Sequence, residues 1–134
     1  MTATESLRLL LIDDDEIQNF ITELMLKKIN VDDIKTILNG EDAIGFLEKK
    51  IKQGVENIPT HILLDINMPM IDGLTFLKLL NSSELLCDAP VKIAVLTTSV
   101  RDQDRKEALS HKQVTHFIEK PITKEKLQEF LFSY

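Results

Sequence analysis

The sequence predicts an α/β domain: five β/α units whose strands form a parallel sheet wrapped by helices on both faces. Short apolar runs alternate with amphipathic stretches along the whole chain. Such runs read as strands buried on both sides, and the stretches between them have the length that parallel neighbours need for their crossovers.

Leu7 to Ile12 (LRLLLI) is the first strand and ends in acid. Ile17, Phe20, Ile21, Leu24 and Met25 then fall at helical spacing, and Asp15 followed by Gln18 resembles a capping box at that helix's start. Ile34 to Leu38 is a weaker strand. After Asn39-Gly40, Ala43, Phe46, Leu47 and Ile51 form a second helical stripe that closes near Gly54. His61 to Leu64 is the third strand, ending at Asp65, and Gly73 to Leu80 the third helix. Asn81 to Pro90 reads as a loop, Val91 to Leu96 as the fourth strand, and Asp102 to Ser110 as the fourth helix. Val114 to Ile118 completes the strands, and Lys124 to Phe132 is a last helix with Thr123 as its N-cap.

At 134 residues, the chain has the size of one ordinary domain, with no repeat, low-complexity tract or Pro/Gly-rich linker to mark a second. One domain over residues 1–134, without an effector domain, is therefore expected. A start at Met1 and an end just past the last helix favour a complete chain. A net charge of -6 argues against sequence-independent binding to nucleic acid or to an anionic membrane. The single cysteine, Cys87, has no intramolecular partner, no run is long enough for a membrane span, and the amino terminus lacks a secretory pattern. A cytoplasmic location is expected.

In open α/β sheets the ligand site lies at the carboxyl ends of the strands. The polar residues there are Asp13 and Asp14 after the first strand, Asp65 after the third, Thr97 or Thr98 after the fourth, and Lys120 after the fifth. Three converging carboxylates repel one another, a strain that a divalent cation relieves. Oxygen-only ligands favour Mg²⁺. A carboxylate can attack phosphorus once the charge on the transferring group is neutralised, which Mg²⁺ and Lys120 would do. Thr97 would offer a hydroxyl to one phosphoryl oxygen.

The segments LLIDDDE, LLDINMPMIDG, AVLTTS and FIEKPI, in this order, resemble the landmarks of response-regulator receiver domains of the chemotaxis-regulator type. The resemblance spans Leu7 to Phe132. It implies a flavodoxin-like, doubly wound sandwich of strand order 2-1-3-4-5. Asp13, Asp14 and Asp65 would bind Mg²⁺ together with the Asn67 backbone carbonyl. Asp65 would accept the phosphoryl group, with Lys120 and Thr97 completing the reactive set. It further implies a cis Lys120-Pro121 bond and a switching aromatic, Phe117, that turns inward as Thr97 moves toward the phosphate. The implied donor is a sensor histidine kinase or phosphotransfer protein, and the implied output is a protein contact through the face of the fourth helix, fifth strand and fifth helix. Catalysis would be limited to the chain's own phosphorylation and dephosphorylation.

Some of these residues also have plainer readings. Asp15 is expected to be a helix cap, Asp72-Gly73 a turn, His61, His111 and His116 satisfied or exposed, and Cys87 semi-buried in a loop. The stretch from Thr97 to Lys120 is one residue longer than in the chemotaxis type, and the extra residue is placed in SHKQVTHF, which keeps Thr97 as the sensing hydroxyl. Asn67 and Ser99 would flank the attacking water and set the lifetime of the phosphorylated state. Competing functions are a haloacid-dehalogenase-type phosphatase, which lacks its second acid because Asn67 stands there, and a flavin binder, which DDDE would repel. A receiver fold used as a phosphate-independent docking module is the third.

Overall fold

A computed structural model describes residues 7–98 and 101–132. The elements are β1 (Leu9–Ile12), α1 (Glu16–Lys28), β2 (Ile34–Ile37), α2 (Gly40–Lys52), β3 (His61–Asp65), α3 (Gly73–Ser82), β4 (Lys92–Thr97), α4 (Asp102–Leu109), β5 (Val114–Glu119) and α5 (Lys124–Leu131). A short 3-10 turn, Val55–Asn57, follows α2 and was not foreseen. All strand pairs are parallel and the order is β2-β1-β3-β4-β5, as expected. Asp13 and Asp65 therefore leave the ends of two neighbouring strands.

β1 begins at Leu9, later than Leu7; before it, the Arg8 N–H donates to Thr60 Oγ1 at 2.9 Å and Arg8 Nε to Ile58 O at 2.8 Å, in the segment that leads into β3. Successive side chains of β1 then point to opposite faces. Leu10 and Ile12 join Leu47, Phe76 and Ala108 in a core under α2, α3 and α4. Leu9 and Leu11 join Leu26, Leu127 and Phe130 under α1 and α5.

β5 departs from simple alternation. Ile93 pairs with Val114 but Ala94 pairs with His116, so Thr115 is an extra residue within SHKQVTHF. That offset turns Phe117 toward the α4 side and Ile118 toward α5.

The helix ends are chemically fixed. Asp15, Asn39, Asp72 and Thr123 each accept a backbone N–H three residues on, from Gln18, Asp42, Thr75 and Lys126. The capping box at α1 is only half made, because the Asp15 N–H goes to Asp13 Oδ1 rather than to Gln18. α1 ends in a Schellman turn. Asn30, at φ 68, donates to Lys27 O, and Val31 donates to Leu26 O while its side chain shares the α1/α5 core with Leu26. Gly54, at φ 130, closes α2 in a conformation that side chains disfavour.

One stripe faces the unexpected way. Ile17 and Phe20 are 77% and 63% exposed, and Ile21 and Leu24 are exposed too. The buried side of α1 is Asn19, Thr22 and Leu26. The spacing marked the helix, but its apolar face looks outward.

The histidines all have partners. His111 Nδ1 lies 2.9 Å from Asn81 Nδ2, and His116 Nδ1 lies 2.8 Å from Thr115 Oγ1. His61 is buried, with Nδ1 2.9 Å from Thr60 Oγ1 and its ring edge-on to Phe130 at 5.1 Å. Burial above all, then Lys92 and His116, lowers its pKa to about 4. The unfolded chain, with an ordinary histidine, binds this proton first, so the contribution of His61 is present above pH 6.5 and lost as pH falls toward 4. Denaturant unfolding at a series of pH values should show the wild type losing on the order of 3 kcal/mol more than His61→Leu across that window. Parallel pH profiles for the two proteins would refute this.

Candidate functional site

Parallel order brings the end of β1 beside the end of β3, and each acid is held by its own backbone. Asp13 is 1% exposed. Its Oδ1 accepts the Asp15 N–H at 3.0 Å, its N–H donates to Ile37 O at 3.2 Å, and its carbonyl accepts Asn19 Nδ2 at 2.8 Å. Asp14, next along, is exposed. Asp65 is 4% exposed, and its Oδ1 accepts the Asn67 N–H at 3.2 Å. One carboxylate oxygen from each of Asp13, Asp14 and Asp65 lies within 4.8 Å of the other two.

Lys120 supplies the positive charge. Its Nζ is 3.2 Å from Asp13 Oδ2 and 3.6 Å from Asp65 Oδ1. Its N–H donates to Thr97 O at 2.7 Å, which ties the ends of β4 and β5 together, and the Lys120-Pro121 bond is cis as the resemblance implies.

The loop after Asp65 is packed as tightly as backbone allows. A Cβ on Gly73 would lie 2.8 Å from both Asp65 O and Ile66 Cα, so only glycine lets the start of α3 approach this closely. The Gly73 N–H donates to Ile66 O at 3.0 Å. Asp72-Gly73 is thus the turn into α3, with Asp72 as its N-cap. Met70 adopts the left-handed region at φ 68 with its side chain in solvent.

Burial, reinforced by the negative charge of Asp13, raises the Asp65 pKa to about 6, against the opposing pull of Lys120 and the Asn67 N–H. A buried carboxylate held in this way gains from a nearby cation. The donor set is all oxygen, the three carboxylates already converge, and one of them is open to solvent. These residues fit a hard divalent ion such as Mg²⁺.

Asp13, Asp14, Asp65 and Lys120 are thus brought together. For Asn67, the bond in place is its N–H to Asp65 Oδ1. Thr97 ends β4 with 1% exposure, whereas Thr98 is exposed. Phe117 stands apart from the acids, half-buried under the Arg105 guanidinium, which lies 4.9 Å from the ring centroid. Ser99 lies outside the described residues. Two contributors had been missed: Asn19, which secures the Asp13 carbonyl, and Arg105. An amide inside an apolar helical run was the available signal for Asn19, and nothing local marks Arg105.

The model of the response regulator receiver domain matches residues 9–132, and the chain belongs to that family. Within it, the probable methanogenesis regulatory protein FilR2 of Methanothrix harundinacea is 34% identical over 95 residues, which is 71% of this chain and 59% of that protein. A two-component response regulator from Cytophaga hutchinsonii superposes with a TM-score of 0.82 at 27% identity, covering 92% of both chains. The receiver domain of a sensor histidine kinase from Pseudomonas aeruginosa, solved with a magnesium ion coordinated in its active site cleft, shares the fold at a TM-score of 0.73 and 21% identity, covering 95% of this chain and 98% of that one. The chain spans under two thirds of FilR2 and a tenth of the yeast osmosensing histidine kinase SLN1, to which it is 27% identical. No helix among the described residues is long and apolar enough to cross a membrane.

The raised Asp65 pKa has a direct consequence for stability. In the folded state Asp65 keeps its proton between about pH 4 and 6 where the unfolded chain has lost it, so stability falls as pH rises through that window. In chelator, Asp65→Asn should therefore gain on the wild type by on the order of 2–3 kcal/mol between about pH 4 and pH 7.5, and Mg²⁺ should narrow the gap at the higher pH. Urea unfolding measures both, and a gap that does not change with pH would contradict the assignment.

Proposed function

We propose that the chain is a phosphorylation switch. Asp65 accepts a phosphoryl group from a sensor histidine kinase or phosphotransfer protein in a Mg²⁺-dependent reaction, and the phosphorylated form signals through changed protein contacts at the face of α4, β5 and α5. The observation that carries this reading is the single ammonium, Lys120, set between two buried carboxylates, Asp13 and Asp65.

The chemistry follows from those groups. A carboxylate oxygen of Asp65 attacks phosphorus, a new O–P bond forms, and the bond from phosphorus to the donor's leaving atom breaks with its electron pair. Lys120, already between the acids, turns to the phosphoryl oxygens and offsets their charge. Asp13, Asp14, Asp65 and the Asn67 carbonyl would hold Mg²⁺, which when bound neutralises charge on the transferring group. The magnesium in the Pseudomonas aeruginosa receiver supports that assignment. Thr97, buried at the end of β4, would give its hydroxyl to a phosphoryl oxygen, and Phe117 would follow it inward, leaving Arg105. Asn67 and Ser99 would set how fast water removes the group.

The exposed stripe on α1 supports a place for the donor. Ile17, Phe20, Ile21 and Leu24 lie on the helix that starts directly after Asp15, so a partner helix covering them sits beside the acids.

Intact mass after incubation with Mg²⁺ and acetyl phosphate should show one added phosphoryl group, absent from Asp65→Asn and from metal-free protein. No gain, together with failure of beryllofluoride to bind with Mg²⁺, would leave a phosphate-independent docking module. Phe20→Glu should slow transfer from a phosphorylated histidine donor by about tenfold or more, the effect of losing an apolar anchor, while labelling by acetyl phosphate is unchanged. Equal slowing with both donors would count against α1 as the docking face.

A further inference from the structure

β2 is an edge strand with β1 on one side only. The Leu9 N–H takes Asp33 O at 2.9 Å and the Asp13 N–H takes Ile37 O at 3.2 Å. With Leu9 opposite Ile34 and Leu11 opposite Thr36, the alternation of a parallel ladder turns the peptide groups of Asp33, Lys35 and Ile37 toward β1. Those of Ile34, Thr36 and Leu38 face outward. At the opposite edge, β5 already has a backbone acceptor in use, since Lys126 Nζ donates to Glu119 O at 2.9 Å.

The two sides of the β2 edge differ in charge. On the α2 side, a groove of about 400 Å³ is lined by three cationic side chains, Arg8, Lys35 and Lys50, against one acid, Asp33. A second, of about 450 Å³, continues along β2 and shares Lys35 and Phe46 with the first. The first groove thus has an excess of positive charge on a chain whose net charge is -6, while the second sets Lys35 against Asp42 at its far end. The ammonium groups of Lys35 and Lys50 each lie 5.7 Å from the centroid of the Phe46 ring, so both lysines lean over that ring beside the edge. On the α1 side, the Glu23 carboxylate holds the Thr36 hydroxyl at 2.7 Å and Leu38 is exposed, an environment that accepts apolar side chains and repels acidic ones.

We infer that the open edge of β2 docks an extended segment of a partner protein as a sixth strand, with acidic side chains over the Lys35–Phe46–Lys50 groove alternating with apolar ones on the Leu38 side. Main-chain pairing gives such a complex its affinity, and the two unlike sides read the alternation. The surface adjoins the acidic site at its Ile37–Leu38 end, where the Asp13 N–H donates to Ile37 O, but uses none of Asp13, Asp14, Asp65 or Lys120.

The test uses the full chain and a capped synthetic peptide of alternating glutamate and valine. Titration followed by amide NMR should shift Lys35 and Phe46, and hydrogen exchange at the Ile34, Thr36 and Leu38 amides should slow by about tenfold or more, as for amides newly paired in a ladder. The double substitution Lys35→Glu, Lys50→Glu should weaken binding by at least about tenfold, and its labelling by acetyl phosphate reports that it folds. A lysine–valine peptide, and the original peptide N-methylated on alternate residues, should both fail to bind. The inference is overturned by unchanged exchange at the three amides at millimolar peptide. Undiminished binding to the double variant, or equal binding of the N-methylated peptide, overturns it as well.

Discussion

Everything at the carboxyl edge of the sheet depends on keeping Asp13 and Asp65 buried side by side with one ammonium between them. Two carboxylates at this separation in a low-dielectric setting repel strongly, and removing either from water is costly. The fold meets that cost locally. Asp13 spends both its oxygens, its N–H and its carbonyl on fixed partners, and Asp65 takes the Asn67 N–H. Lys120 is itself fixed through the Thr97 carbonyl, and Gly73 lets α3 close against the Asp65 backbone. Residual strain remains in the raised Asp65 pKa, and the charge balance of this site is what the proposed cation and phosphoryl group would change.

How such a change travels depends on what is firmly held. α3 buries Gly73, Phe76, Leu77 and Leu80, whereas α4 buries only Ala108 and carries no side-chain N-cap bond. Its side-chain ties among the described residues include two surface contacts, Lys78 to Glu107 at 3.4 Å and Arg105 over Phe117. Exposed pairs of this kind contribute little, roughly a kcal/mol or less each. The helix next to the proposed switch is thus more lightly held than α3, and under the proposed function a modest free energy at Asp65 would redistribute it.

Strands were the most legible part of the sequence because a strand buried on both faces leaves a continuous apolar run, and the acids and lysine were legible because parallel order makes strand ends converge. Phe117 and Ile118 were harder. Their facing depends on Thr115 being skipped by the ladder, and a one-residue offset is invisible to any pattern of period two. The 3-10 turn at Val55–Asn57 left no periodic trace, and Arg105 meets Phe117 only through the tertiary fold. The half-made box at Asp15 failed for a site reason: Asp13, not Gln18, needed the N–H.

α1 shows why spacing alone does not give the direction of burial. Its inner face must carry Asn19, because the Asp13 carbonyl requires a donor there, and Thr22 is buried one turn further on. Asn19 Oδ1 is buried without a hydrogen-bond partner among the described residues, a loss of about 1–3 kcal/mol that an apolar residue would not incur. The helix is therefore held at its ends, by Asn19 at one and by the Leu26–Val31 turn at the other, while Ile17, Phe20, Ile21 and Leu24 contribute little to the core. Four large apolar side chains left in water on a helix with a polar buried face are poorly explained by folding stability. The proposed docking of a phosphodonor would cover that outer face, since α1 starts directly after Asp15, beside Asp13 and Asp14.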